Sequence, residues 1–423
     1  MRFEKLQDWL NWQESLHPQE IELGLERVRL VWERLQTKPF SPVVVTVAGT
    51  NGKGSCSAML ESIYRHAGYR VGCYSSPHLL KYNERIKILG SAIDEHALCE
   101  AFEAVDQARE DISLTYFEFG TLAALTLFAN ADLDVVILEV GLGGRLDAVN
   151  IMDADVALLT SVGLDHQDWL GDDREKIGRE KAGVFRQGRP AICAEQNPPE
   201  SVLAYAKQIQ ARCLVRGQDY SLTREDTSWS WQGPDHSSRH SLPTPALRGS
   251  KQIDNAAAVL MVIESLASRL PVSQSHLRQG LLDVRLPGRF QIIPGRVTVI
   301  LDVAHNPQAA VVLSQNLREF GCRGRILAVL GMKQDKDAAA VADCLKSQIS
   351  KWYLGSLDTP QGLKADGLAR GLRGLGISDL HIEDRIDGAF DKAMQAAAEG
   401  DCILVLGSFY TVADILVHLS PSV

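Results

Sequence analysis

Short apolar, β-branched runs alternate with stretches of helical periodicity along most of the chain. Val43–Val47, Val135–Glu139, Val156–Thr160 and Pro190–Cys193 are almost continuously apolar, as strands buried on both faces of a parallel sheet are. Between them Glu95–Arg109 and Phe117–Asn130 place apolar residues at helical spacing. The rhythm restarts at Val297–Leu301, Ile326–Leu330, Trp352–Leu354 and Cys402–Leu406. Two such arrays predict two α/β domains, each with helices over a mostly parallel sheet, the second smaller and Rossmann-like. Residues Asp219–Ser250 break the rhythm with Ser, Thr, Gly, Pro, Trp229 and Trp231, a texture that predicts hairpins or irregular strands. Helical patterns follow at Asp254–Ser268 and Ser273–Asp283. Leu286-Pro287-Gly288-Arg289 then supplies turn chemistry. The domains are therefore expected at 1–286 and 297–423, with a linker near 287–296.

Composition narrows the class. The chain has 423 residues, 45% hydrophobic and 23% charged, with a net charge of −9, so no basic field is available for nucleic acid or an anionic membrane. Eight cysteines are scattered without a Cys-x-x-Cys pair and read as reduced core fillers. The first twelve residues, MRFEKLQDWLNW, mix charge and apolar groups at helical spacing, unlike a signal peptide, and no apolar run reaches about 18 residues. A cytoplasmic protein acting on small molecules, without nucleic acid or membrane, is expected.

The chemistry concentrates after the first strand, in Val43-Val44-Val45-Thr46-Val47-Ala48-Gly49-Thr50-Asn51-Gly52-Lys53-Gly54-Ser55. A buried strand runs through a glycine-rich turn into a helix from about Ser57. Glycines let backbone N–H groups close on phosphate oxygens, and the helix N-terminus favours anions. Lys53 adds a charge for β- and γ-phosphates. The spacing departs from G-x-x-x-x-G-K-[ST], because no glycine stands five before Gly52 and Gly54 separates Lys53 from Ser55. Glu139 ends a buried strand, the place where a carboxylate faces the ligand crevice of an open α/β sheet and can hold Mg²⁺; it can equally cap a loop. His166 reads either as a hydrogen-bonded loop residue or as a ligand. Ser76 reads as a turn hydroxyl, Tyr116 and Phe117 as core residues at a helix start, and Lys181 as a solvated helix lysine.

The loop Gly-Thr-Asn-Gly-Lys-Gly-Ser resembles that of the Mur ligase superfamily, and within it the folylpolyglutamate synthases, the bifunctional bacterial members above all. Ser75-Ser76-Pro77-His78-Leu79, Leu114-Thr115-Tyr116-Phe117-Glu118 and Leu138-Glu139-Val140-Gly141-Leu142-Gly143-Gly144-Arg145-Leu146-Asp147-Ala148 extend the likeness. Leu164-Asp165-His166, Gly178-Arg179-Glu180-Lys181-Ala182-Gly183, Leu286–Phe290, Asp302-Val303-Ala304-His305-Asn306-Pro307 and Gly407-Ser408-Phe409 carry it along nearly the whole chain, in order. The resemblance implies a first domain like the Mur ligase central domain. It implies ATP-dependent addition of L-glutamate to dihydropteroate and to tetrahydrofolate, through an acyl phosphate, by a monomer. It assigns ATP to Thr50, Asn51, Gly52, Lys53, Gly54, Ser55, Asn255, Arg289, Asp302 and His305, and two Mg²⁺ ions to a site with Ser76, Glu139 and His166. It assigns the pterin to Thr115, Tyr116, Phe117, Glu118, Leu146, Asp147 and Ala148. It gives catalytic roles to Lys53, His166 and Lys181, the last as N6-carboxylysine. Arg289, Asp302 and His305 lie at or beyond the linker, so the likeness also implies closure of the two domains on the nucleotide. The rivals are a monofunctional folylpolyglutamate synthase, a cell-wall Mur ligase and a non-catalytic nucleotide-binding regulator. The last would be expected to lack Lys53, Glu139 or His166.

Overall fold

A computed structural model describes residues 1–419 and resolves two compact units. The first comprises Met1–Ala246 and Ile253–Val284; the second comprises Leu247–Gln252 and the chain from Arg285 onward.

The first unit is built on an eight-stranded sheet of β1 (Val43–Ala48), β2 (Val71–Tyr74), β3 (Ile86–Ile88), β4 (Ser91–Ala92), β5 (Val135–Glu139), β6 (Val156–Leu159), β7 (Pro190–Cys193) and β8 (Arg212–Val215). The order is β4-β3-β2-β5-β1-β6-β7-β8; β3 and β4 close one edge antiparallel and the other six strands are parallel. Every residue of β1 and β5 is buried, as their almost continuously apolar runs lead one to expect, Thr46 and Glu139 included. Each fully buried Val, Ile or Leu there contributes about 1.5–3 kcal/mol from apolar area. Helices Leu6–Leu16 and Glu26–Leu35 precede the sheet and belong to its core through Trp9 and Val31, both fully buried. Trp9 donates its indole N–H to the Phe3 carbonyl (2.9 Å).

The polar stretch from Asp219 forms a three-stranded antiparallel sheet of β9 (Ser221–Arg224), β10 (Trp229–Gln232) and β11 (Ser238–Leu242). Trp229 and Trp231 are buried beneath it, and Trp231 donates to the Ala257 carbonyl (3.1 Å). Helix Gln252–Ser265 follows, and Ser273 caps helix Gln274–Asp283.

In the second unit β12 (Gln291–Ile293), β13 (Thr298–Asp302), β14 (Ile326–Leu330), β15 (Lys351–Gly355), β16 (Leu380–Glu383) and β17 (Cys402–Leu406) form one sheet in the order β12-β13-β17-β14-β15-β16. All are parallel except β12, which pairs antiparallel with β13 and lies inside the stretch read from sequence as linker. Among the described residues no helix is long and apolar enough to cross a membrane. All eight cysteines are free; Cys56, Cys73, Cys99, Cys193 and Cys402 are buried as small core residues.

Candidate active site

Four adjacent parallel strands, β2-β5-β1-β6, deliver the candidate residues to one edge of the first sheet. The chain leaves β2 into Ser75–Ser76, β5 ends at Glu139, β1 runs into Gly49–Gly52, and β6 leads to Asp165–His166. Each follows a strand's C-terminal end, where open α/β sheets bind ligands.

The glycine loop is held by the turn after β6. Thr50 N–H donates to Ser161 O (2.8 Å), Asn51 N–H to Ser161 Oγ (2.9 Å), and Thr160 Oγ1–H to Asn51 O (2.7 Å). Thr50 Oγ1 accepts from Gly163 N–H (3.0 Å). Gly49 has φ +149°, and a Cβ there would lie 1.9 Å from Thr160 Oγ1. Gly52, at φ +90°, is the left-handed N-cap of helix Lys53–His66, and a Cβ on it would stand 3.0 Å from Asn255 Oδ1. The structure thus brings Asn255, some two hundred residues away, against the loop.

Two lysines converge on one carbonyl. Lys53 Nζ donates to Gly49 O at 2.9 Å and lies 3.4 Å from Thr50 O; Lys181 Nζ donates to the same Gly49 O at 3.2 Å. Lys181 sits on helix Arg174–Ala182 and is buried, unlike the solvated lysine its surroundings in sequence allow. Burial, then the neighbouring Lys53 charge, lowers its ammonium to about 7, with Asp165 and Asp147 pulling the other way. Tight backbone packing positions that helix: a Cβ on Gly144 would fall 2.8 Å from Lys181 O, and one on Gly183 2.4 Å from Arg145 Cβ.

Glu139 is buried and pairs in register with Val47, two residues before the glycine loop. His166 adopts φ +50° and is about one-third exposed, with Nε2 3.9 Å from Asp165 Oδ1. Among the described residues no group of three or more His, Cys, Asp or Glu is assembled to hold a metal. A cation bound by Ser76, Glu139 and His166 would use a hydroxyl, a carboxylate and an imidazole, a sparse and largely oxygen set. That suits Mg²⁺, which keeps waters and phosphate oxygens among its ligands.

The pterin-assigned side chains are partly committed elsewhere. Thr115 and Glu118 form a reciprocal capping box at helix Tyr116–Asn130: Thr115 N–H donates to Glu118 Oε2 (2.8 Å) and Glu118 N–H to Thr115 Oγ1 (3.3 Å). Arg27 donates to the other Glu118 oxygen (2.9 Å). Tyr116 and Phe117 are half-buried, whereas Phe119 is wholly in the core. Asp147 accepts from Leu142 N–H (2.8 Å) and Val149 N–H (3.1 Å), holding the loop that carries Leu146 and Ala148. Burial raises its carboxyl to about 6 against those bonds and the Lys53 charge.

In the second unit Asp302 ends β13 and accepts from Phe290 N–H (2.9 Å) and Ala304 N–H (2.8 Å). Burial raises its pKa, opposed by Arg289 and His305. Arg289 stacks 4.9 Å from the Phe409 ring centre, and His305 Nδ1 lies 2.9 Å from Val303 O. Two groups escaped the sequence reading. Thr160 and Ser161, which lace the glycine loop, were visible only as hydroxyls at a strand end. Arg85 was hidden in a segment without periodicity, and His78 stood in a quoted motif without a role assigned to it.

Residues 47–263 match the Mur ligase middle domain and residues 288–409 the Mur ligase glutamate ligase domain. The chain is 48% identical over 411 residues to the dihydrofolate synthase/folylpolyglutamate synthase of Escherichia coli K12, covering 97% of this chain and 94% of that protein. The solved structure of E. coli FolC in complex with DHPP and ADP superposes with a TM-score of 0.93 at 46% identity, over 99% of this chain and 98% of that one. A bifunctional folylpolyglutamate synthase/dihydrofolate synthase with Mn, AMPPNP and L-glutamate bound gives 0.91 at 46% identity, over 98% of each chain. The chain is a member of the Mur ligase family, in its dihydrofolate synthase/folylpolyglutamate synthase branch.

Proposed function

We propose that this chain is an ATP-dependent amide ligase that joins L-glutamate to dihydropteroate, forming dihydrofolate, and to tetrahydrofolate and its polyglutamates. The observation that carries the reading is the full-length likeness at 48% identity, over a chain that keeps Lys53, Glu139, His166 and Lys181. The substrate carboxylate attacks the γ-phosphorus of ATP and ADP leaves, giving an acyl phosphate. The α-amine of L-glutamate then attacks the acyl carbon and expels phosphate. Hydroxide is a poor leaving group and phosphate a good one, which is what the nucleotide contributes.

The residues act mainly by position and charge. The loop Thr50–Ser55 and the N-terminus of helix Lys53–His66 receive the phosphates. Lys53 turns from the Gly49 and Thr50 carbonyls toward the γ-phosphoryl oxygens. Asn255 is proposed to bind the nucleotide beside Gly52, and Arg289, Asp302 and His305 are proposed as further ATP contacts. Ser76, Glu139 and His166 would hold Mg²⁺, which when bound supplies positive charge to the phosphate oxygens. Lys181 is proposed to react with CO₂ to a carbamate, converting a repulsive cation into an anion beside that site. Tyr116, Phe117 and the Leu146–Ala148 loop offer flat and hydrogen-bonding walls to a pterin, with Thr115 and Glu118 holding the helix start in place. The protein is proposed to work as a cytoplasmic monomer on small molecules.

One phosphate loop implies one site for both acyl substrates. Dihydropteroate and tetrahydrofolate are therefore expected to compete, each raising the apparent KM of the other. Full-rate ligation of each in saturating amounts of the other would require two sites and overturn the reading. Loss of the dihydropteroate reaction alone would leave the monofunctional alternative.

A further inference from the structure

Arg85 ends the turn Tyr82–Arg85, and its carbonyl accepts from Ser75 N–H at 2.9 Å, so it sits beside the segment that carries Ser76. Its residue exposure is 8%, yet no carboxylate meets it. Nε–H donates to His78 Nδ1 at 2.9 Å; among the described residues its two terminal nitrogens make no hydrogen bond or ion pair. Two tyrosine rings lie against it. Its guanidinium carbon is 5.0 Å from the Tyr82 ring centre and 5.5 Å from that of Tyr116. His78 Nδ1 is the acceptor of that bond, so this ring nitrogen carries no proton. The nearby carboxylates are bound elsewhere: Glu84 accepts from Leu79, Leu80 and Lys81 N–H, and Asp147 from Leu142 and Val149 N–H. Other arginines of the first unit, Arg27, Arg70 and Arg109 among them, are paired with acids.

A largely buried cation without a counter-ion is costly, and ring faces offset only part of that cost while its terminal N–H groups keep no partner among the described residues. The cost is recovered when an anion arrives. Two terminal N–H groups match a carboxylate bidentately, and the tyrosine rings line the same spot with aromatic walls. We infer that Arg85 binds the carboxylate of the pteroyl substrate, with Tyr82 and Tyr116 flanking the aryl group that bears it and His78 orienting the guanidinium through its Nδ1. The inference rests on the ligase reading above and adds a substrate-binding residue to it. Tyr116, one of the residues likened to a pterin contact, touches the same guanidinium and joins the two parts of the site.

The test compares dihydropteroate with its analogue lacking the carboxylate, an aniline in place of the p-aminobenzoate, on wild type, Arg85→Lys and Arg85→Met. Wild type is expected to bind dihydropteroate about 10- to 100-fold more tightly than the analogue. Arg85→Met should bind the two equally and Arg85→Lys should fall between, with KM for ATP and for L-glutamate unchanged. The melting temperature of Arg85→Met should equal or exceed that of wild type, because an unpaired buried charge has gone. A retained preference in Arg85→Met would overturn the assignment. So would a rise confined to the KM for L-glutamate, which would give the guanidinium to the amino acid instead. If wild type bound no dihydropteroate, the ligase reading itself would fall.

Discussion

Lys53→Ala is expected to reduce ligation of dihydropteroate and of tetrahydrofolate alike by about 10³-fold or more, with the melting temperature close to wild type. Charge that develops on the γ-phosphoryl group needs a preorganised cation, and Lys53 stands at the first turn of the helix that follows the glycine loop. Its bonds include those to the Gly49 and Thr50 carbonyls, groups that water or a phosphate-bound rearrangement can satisfy, so the fold is expected to lose little. Steady-state turnover and thermal melting on the same preparation check both halves. Near-normal turnover at unchanged stability would remove the phosphate-loop assignment.

Lys181→Ala is expected to cost about 10²-fold or more in turnover, with partial rescue by a small carboxylic acid such as acetate. The amine is buried and lowered to about 7, so a large share is neutral near physiological pH and able to add CO₂. Carbon-13 NMR under labelled bicarbonate should reveal one carbamate, absent from Lys181→Met. Stability should report the same amine. In unmodified protein the unfolded state binds the extra proton between about 7 and the ordinary 10.5. The penalty of burying the ammonium is therefore full below about pH 7 and is relieved as pH rises toward 10.5. Lys181→Met should flatten that rise. An unmodified lysine, with no rescue and no change in the pH slope, would exclude the carbamate.

The long buried strands were legible because burial on both faces leaves an unbroken apolar signature, as in β1, β5, β14 and β17. The short or edge strands were not. β3 is Ile-Lys-Ile and β16 is Leu-His-Ile-Glu, so neither offers an apolar run, and an alternation over three or four residues is too short to stand out. The loop 247–252 carries no boundary signal, yet it groups with the second unit while the helix after it groups with the first.

At the site, the glycine loop was readable from local spacing because strand, turn and helix are contiguous. The convergence of Lys53 and Lys181 on Gly49 O was not, since 128 residues separate them and burial comes from the packing of Gly144 and Gly183. Thr115 and Glu118 read as ligand contacts by likeness, and the structure gives both a capping role that their spacing alone encodes. Arg85 was invisible for the opposite reason: an arginine in a loop is ordinary until the nearby carboxylates prove to be bound to backbone N–H groups instead.

Oxygen transfer tests the central claim most directly. Dihydropteroate labelled with ¹⁸O in its carboxylate is incubated with ATP, L-glutamate and Mg²⁺, and the released phosphate is analysed by mass. Attack of that carboxylate on the γ-phosphorus predicts one labelled oxygen in each phosphate released, together with dihydrofolate. Unlabelled phosphate accompanying the amide product, or ATP hydrolysis without dihydrofolate, would contradict ligation through an acyl phosphate.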